Sequence, residues 1–266
     1  MKLSRPRRLF DPSLITGTIG FALAFAAPIP SDAAEIKILT SRAMNHVLTE
    51  LAGTLERTTG HKITLILAPP TEIVKRVVNG ETVDVVMSGD TVNNLVQQGK
   101  IAPSDRMILA RVGIGVAVRA QAPKPDISSV EAFRRTLLAA KSIVYTDPAI
   151  GGASGIHFEK VLDRLGIAKE IKVKSIVNAW AATKSSAEFV ARGEAELGIQ
   201  LISEIVSVPG VELLGPLPGD LQVMTAILAG ILTTAPEPDA GRALLRFLAS
   251  PAAAAAIRAA GMEPGS

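Results

Sequence analysis

Ile36-Lys37-Ile38-Leu39-Thr40-Ser41-Arg42 is a short β-branched run that ends in small polar residues and a cation. A run of this length and composition reads as a strand. The hydrophobic period then changes. Met44, Val47, Leu48, Leu51 and Leu55 fall on one helical face, and Thr59-Gly60 ends that helix. Residues 62–67 form the next strand, followed by a short helix carrying Ile73, Val74, Val77 and Val78 and closed by Asn79-Gly80. Val83-Asp84-Val85-Val86-Met87 reads as a strand buried on both faces, leading into Ser88-Gly89-Asp90 and a helix through Leu95 and Val96. This alternation of strand and helix predicts an α/β fold, with a parallel sheet covered by helices on both sides.

Toward the C-terminus, residues 107–118 are a long apolar run containing Gly113 and Gly115, expected to carry the chain from one lobe to another. Ala122-Pro123-Lys124-Pro125 is a linker. A second α/β set follows, with strands near 142–145, 171–176 and 197–201 and helices near 130–140, 158–165 and 187–192. Residues 222–232 read as a return strand, and helices near 240–248 and 251–259 finish the chain. The expected architecture is two α/β lobes with a ligand cleft between them. Residues 34–118 and 222–266 form the first lobe, and 119–221 the second. A single doubly wound sheet is the alternative.

Toward the N-terminus, Lys2, Arg5, Arg7 and Arg8 precede an uncharged apolar segment at 14–27, and Ser31-Asp32-Ala33 supplies small residues for cleavage. These are the three parts of a secretory signal. Residues 1–33 are therefore expected to be a signal peptide cleaved after Ala33, and the mature protein to be soluble in the periplasm. An uncleaved anchor is the alternative, and Arg7-Arg8 also hints at twin-arginine export. Loss of residues 1–33 removes four basic and two acidic residues, lowering the formal charge from +3 to +1. With no basic stripe and few aromatics, nucleic acid is not an expected partner. The absence of cysteine excludes a thiolate metal site, a Cys nucleophile and a thiol redox role.

In open α/β sheets, ligands bind beyond the carboxyl ends of the strands. Here those ends carry Thr40-Ser41-Arg42, Pro69-Pro70-Thr71, Ser88-Gly89-Asp90, Thr146-Asp147-Pro148 and Gly151-Gly152-Ala153-Ser154-Gly155. Singly, each hydroxyl reads as a helix cap. Together they point to a cleft for a small anion, held by hydroxyls and backbone N–H groups. Arg42 suits a carboxylate. His46, His61 and His157 have no metal-ligand spacing, so no metal is expected. His157 follows the Gly-rich loop, where it reads either as an acid/base group or as a helix-surface histidine. No G-x-S-x-G is present, and Trp180 and Tyr145 are too few for a sugar-stacking platform.

The segments Ile36-Lys37-Ile38-Leu39-Thr40-Ser41, Thr59-Gly60-His61-Lys62, Val83-Asp84-Val85-Val86-Met87-Ser88, Asp147-Pro148, Leu165-Gly166, Gly193-Glu194-Ala195-Glu196-Leu197-Gly198-Ile199 and Phe247-Leu248-Ala249-Ser250-Pro251-Ala252-Ala253 carry a family resemblance. Over residues 35–262 the chain resembles the periplasmic molybdate-binding proteins of ABC importers, within the type-2 solute-binding fold. The resemblance implies a monomer that closes on a small anionic ligand and delivers it to an ABC permease. It implies no cofactor, and contact with the inner membrane only through that permease. The oxyanion pocket of that family matches Ala43 and Thr71 in its serine positions, Ala153-Ser154 and Thr183 in its backbone donors, and Leu201 in its tyrosine position. Ala43 and Leu201 carry no hydroxyl, so molybdate is expected to bind weakly, because a buried charge without donors is costly. Ser41 lies two residues before the Ala43 position; Arg42, Ser88 and Ser154, with His157 beside them, would suit a small carboxylate instead. The wider family includes a periplasmic isomerase of aconitate, for which His157 would be the catalytic candidate. A receptor for a signalling partner is a further alternative.

Overall fold

The computed structural model describes residues 34–179 and 184–265. The expected signal peptide, Trp180 and Thr183 lie outside the described residues. The chain opens with β1 (Glu35–Thr40), a 3-10 turn at Arg42–Met44, α1 (Asn45–Thr59), β2 (Lys62–Leu67), α2 (Pro70–Val78), β3 (Val85–Ser88) and α3 (Thr91–Gln97). Two long strands follow, β4 (Ile101–Val112) and β5 (Ile114–Arg119). Next come α4 (Val130–Ala139), β6 (Ile143–Thr146), α5 (Ala153–Arg164), α6 (Ala168–Lys172), β7 (Ser175–Asn178), α7 (Ser186–Ala191), β8 (Leu197–Leu201), α8 (Ile202–Val206) and β9 (Val211–Pro216). The chain closes with β10 (Thr225–Leu232), α9 (Pro238–Leu248), α10 (Pro251–Ala259) and β11 (Met262–Pro264).

These strands form two sheets, ordered β11-β4-β10-β3-β1-β2 and β7-β6-β8-β5-β9. Each has a parallel trio, β2-β1-β3 in one and β7-β6-β8 in the other. The strand–helix alternation at the start of each set thus pairs in parallel as expected, and the remaining strands add antiparallel members that make both sheets mixed. The antiparallel members include β4, β5 and β10, which flank the two passages of the chain between sheets.

The central strands, among them β3, β5, β8 and most of β10, are buried on both faces, which is why they are continuous apolar runs rather than alternating ones, while β2, β7 and β9 are only partly buried. Ile36 and Ile38 of β1, with Val85 and Met87 of β3, enter one apolar cluster; Leu39 and Val86 enter another on the opposite face. In the second sheet, Val116, Ile143, Tyr145 and Ile199 face one way and Ala117 and Val144 the other. Asp84 interrupts this pattern at 1% exposure. Its two carboxylate oxygens accept from Lys37 N and Glu237 N, each at 2.8 Å. The buried charge therefore ties β1 to the entrance of α9, and both oxygens are satisfied.

The first passage between sheets is Gly113, so β5 belongs to the second sheet and the expected lobe boundary at 118 falls inside a strand. The return passage spans 222–224, and β10 begins at Thr225 rather than at 222. The two passages touch. Gln222 accepts from Ile114 N at 3.0 Å through Oε1 and donates to Ile114 O at 2.8 Å through Nε2. A Cβ at residue 113 would lie 2.8 Å from that Nε2, which explains the glycine. The strand expected at 171–176 is a correction of another kind: Ile171 lies in α6, and β7 starts only at Ser175.

Candidate functional site

A cleft of about 980 Å³ opens between the two sheets. On the first-sheet side it is lined by Ser41, Arg42 and Ala43 after β1, Thr71 on α2, and Ser88, Gly89 and Asp90 after β3. On the second-sheet side it is lined by Thr146, Gly151 to Ser154, His157, Gln200, Leu201 and Glu204. Every described residue singled out from the sequence as a ligand contact therefore meets at one place, with His157 beside them.

Their local roles differ. Ser88 is fully buried and donates from Oγ to Thr91 Oγ1 at 3.3 Å, so its hydroxyl already serves α3. Ser41 is 8% exposed, and its backbone N donates to Met87 O at 2.9 Å, holding the turn against β3. Thr71 reaches across the cleft mouth and donates to Ile150 O at 3.3 Å. At that lip Gly151 adopts φ 78° and packs on Pro70 and Thr71. The lobes thus touch at the rim.

α5 begins in the cleft at Ala153 after Gly152, and no side chain caps it. Its first backbone N–H groups are the orphan donors that every helix start leaves. Ser154, 3% exposed, sits in that first turn. The helix is held there by a close approach: a Cβ on Gly155 would lie 1.8 Å from Thr146 O. His157, one turn on, is half-buried, and its Nε2 lies 2.8 Å from Leu221 O. A carbonyl only accepts, so Nε2 carries the proton in this contact. His157 therefore touches the segment by which the chain leaves the second lobe.

Ala43 and Leu201 are buried at 3% and 6% exposure and offer the cleft only apolar surface. Three residues beyond Leu201, α8 brings in a group that sequence reasoning missed. Glu204 is half-buried on the cleft wall, and Gln200 Nε2 donates to its Oε2. Gln200 is 3% exposed, and its Oε1 accepts from Ala187 N at 3.0 Å, which fixes its NH₂ toward the carboxylate. Burial pushes the Glu204 carboxyl up to about 7, against the opposing pull of the Arg42 charge, on a turn packed against α8, and of the Gln200 amide. The available signal was position: Glu204 follows the carboxyl end of β8 as closely as the other site residues follow their strands.

The histidines are dispersed. His46 lies 3.8 Å from Glu50 on an exposed helix face, and His61 Nδ1 accepts from Ala34 N at 3.3 Å. Among the described residues no group of three His, Asp or Glu side chains gathers as a metal site would require. Tyr145, 1% exposed, packs edge-on against Phe158 at 5.1 Å inside the second lobe, where no sugar could stack on it.

Two lobes with mixed sheets, joined by two passages and closing over a cleft, define the type-2 periplasmic binding protein fold. The sequence pattern of the family described as bacterial extracellular solute-binding protein matches residues 36–263. The chain belongs to that family. An aconitate isomerase from Pseudomonas sp is 35% identical over 262 residues, covering 95% of this chain and 97% of that protein. The molybdate-binding protein ModA of Azotobacter vinelandii is 27% identical over 259 residues, covering 95% and 98% respectively. The solved structure of the Azotobacter vinelandii periplasmic molybdate-binding protein superposes with a TM-score of 0.73 at 22% identity, over 87% of this chain and all of that one.

Proposed function

We propose that this protein is exported to the periplasm, with Ala34 as its mature N-terminus, and acts there as the monomeric solute-binding component of an ABC importer, closing its lobes on a small organic anion. The observation that carries the ligand class is the composition of the cleft. Arg42 supplies a cation, the uncapped start of α5 supplies backbone donors, and Ala43 and Leu201 supply no side-chain hydrogen bond. A carboxylate is served by one guanidinium and a few N–H groups. A compact inorganic dianion that loses two donors loses about 1.5–3 kcal/mol for each. Closure favours a ligand that touches both lobes, because only differential contact shifts such an equilibrium.

The test is a thermal-shift screen of mature protein against carboxylates and oxyanions, followed by calorimetric titration. A ligand that binds only the native state raises the melting temperature. A small carboxylate is expected to do so, and molybdate to bind at least about a hundredfold more weakly than the nanomolar range of strong complexes. Nanomolar molybdate would overturn the ligand class. Arg42→Ala is expected to weaken carboxylate binding by more than the ~1 kcal/mol of an exposed ion pair.

A second reading is an aconitate-type isomerase on the same scaffold. It is favoured by the identity to the Pseudomonas aconitate isomerase and by His157 and Glu204 in one cleft, since an isomerase needs a positioned base near neutrality. Incubation with aconitate isomers in heavy water, followed by proton NMR, separates the two. Interconversion with deuterium incorporation would make the protein an enzyme; saturable binding without exchange supports the receptor.

A further inference from the structure

We propose that Glu204 is a second ligand-facing group of the cleft, and that an organic acid seated at Arg42 enters together with one proton, shared between its own carboxyl group and Glu204. This rests on the organic-anion reading above and narrows it to acids with a carboxyl that can hold a proton.

Four observations converge on it. Glu204 lines the cleft from the second lobe, and Arg42 lines it from the first. The charge of Arg42 acts on Glu204, so an anion drawn to Arg42 arrives beside a carboxylate. Two such groups in a partly dry site do not both stay ionised; one takes a proton and becomes the donor of a hydrogen bond to the other. Glu204 also cannot turn away easily. Its Oε2 is engaged by Gln200, whose amide orientation is set by Ala187 N, and α8 is one short turn pinned between β8 and β9. The raised proton affinity of Glu204, about 7, agrees with this geometry.

The other charged groups on β9 and β5, which pack against α8, are paired elsewhere or lie at the far end of their strand. Glu212 of β9 is paired with Lys124 at 2.5 Å. Arg119 lies at the far end of β5, against Gly193. β8 contributes the neutral Gln200, and the turn after β1 contributes Arg42. Of the other titratable groups on the cleft wall, Lys184 pairs with Glu194 at 2.9 Å, Asp90 accepts from Asn93 at 2.8 Å, and His157 bonds Leu221 O. Arg106 and Lys160 complete the set. The proton balance is simple. One proton leaves solvent, no bond other than its own changes, and the bound pair carries one negative charge fewer than the free pair.

The experiment titrates mature protein with trans-aconitate by calorimetry at pH 6 and pH 8, in buffers of different ionisation enthalpy, which counts protons. Wild type is expected to take up close to one proton per ligand at pH 8, and to bind about tenfold more weakly there than at pH 6, since ionising a group near 7 competes with binding. Glu204→Gln mimics the protonated carboxyl. It is expected to take up none and to bind equally at both pH values, more tightly than wild type at pH 8. Saturable binding by wild type with no proton uptake would overturn the proposal, as would a pH dependence that persists in Glu204→Gln. The organic-anion reading survives both of those results. If trans-aconitate does not bind, the same titrations use the carboxylate that the thermal-shift screen selects; if no carboxylate in that screen binds, the organic-anion reading falls and takes this inference with it.

Discussion

Glu204 is the residue at which binding chemistry and stability meet. Its carboxyl ionises near 4.5 in an ordinary setting and near 7 in the fold. Between those values the folded protein holds the proton and the unfolded chain has lost it. Stability therefore falls as the pH rises through this window, and the deficit is complete above pH 7. Replacement by Gln removes the ionisable group. Glu204→Gln is expected to gain roughly 1–3 kcal/mol relative to wild type at pH 8 and almost nothing at pH 4, allowing for partial exposure. Melting curves at the two pH values check this, with a difference of several degrees expected at pH 8. Equal shifts at both would mean that the carboxyl is not held up by burial. The places of Arg42 and Ser154 on the cleft wall were legible because each follows the end of a strand, and His157 comes with the same helix start as Ser154. Glu204 sits in such a place too, but a long acidic side chain after a strand carries no anion-binding signal of the kind that hydroxyls and backbone N–H groups give.

Among the elements, α5 shows how the backbone sets the site. Its first turn enters the cleft because Gly155 lets the helix lie against the end of β6. Gly155→Ala is expected to cost about 3 kcal/mol or more, since the methyl would meet the Thr146 carbonyl and the backbone must shift. Gly53→Ala is the contrast. Gly53 is exposed on α1, and its Cβ would meet only the flexible end of Arg57 at 3.4 Å. That change is expected to stabilise by roughly 0.5–1 kcal/mol. Urea midpoints of the two variants should move in opposite directions, and movement in the same direction would refute the packing argument. The elements read correctly from sequence were those with a strong helical period, such as α1, or an unbroken β-branched run, such as β3. The misread ones had a local pattern that tertiary packing overrode. Ile171-Lys172-Val173-Lys174-Ser175-Ile176 alternates like a strand, yet its first half completes α6 and Val173 is 87% exposed. β11 is three residues ending in a proline, too short for any period to register.

At the scale of the whole molecule, the two-lobe plan was legible because two α/β sets are separated by a long apolar run and followed by a return strand. The handover point was not, because the run from Met107 to Val118 is apolar on both sides of the passage apart from Arg111, and Gly113 is one glycine among several. Only the pairing partners reveal where one sheet stops and the other starts.

The grip of Gln222 on Ile114 has a mechanical meaning. One side chain clasps both the amide and the carbonyl of the opposite connection, so the pair behaves as a single leaf spring rather than two independent threads. Gln222 itself does not line the cleft, so its loss is expected to alter the resting angle between the halves without removing a ligand contact. Gln222→Ala is expected to change affinity several-fold through that angle alone, with the relative ranking of different acids preserved. Small-angle scattering, which reads the angle directly, and parallel titrations with two acids check both halves of the statement. A reordered ranking would show that Gln222 shapes the pocket itself.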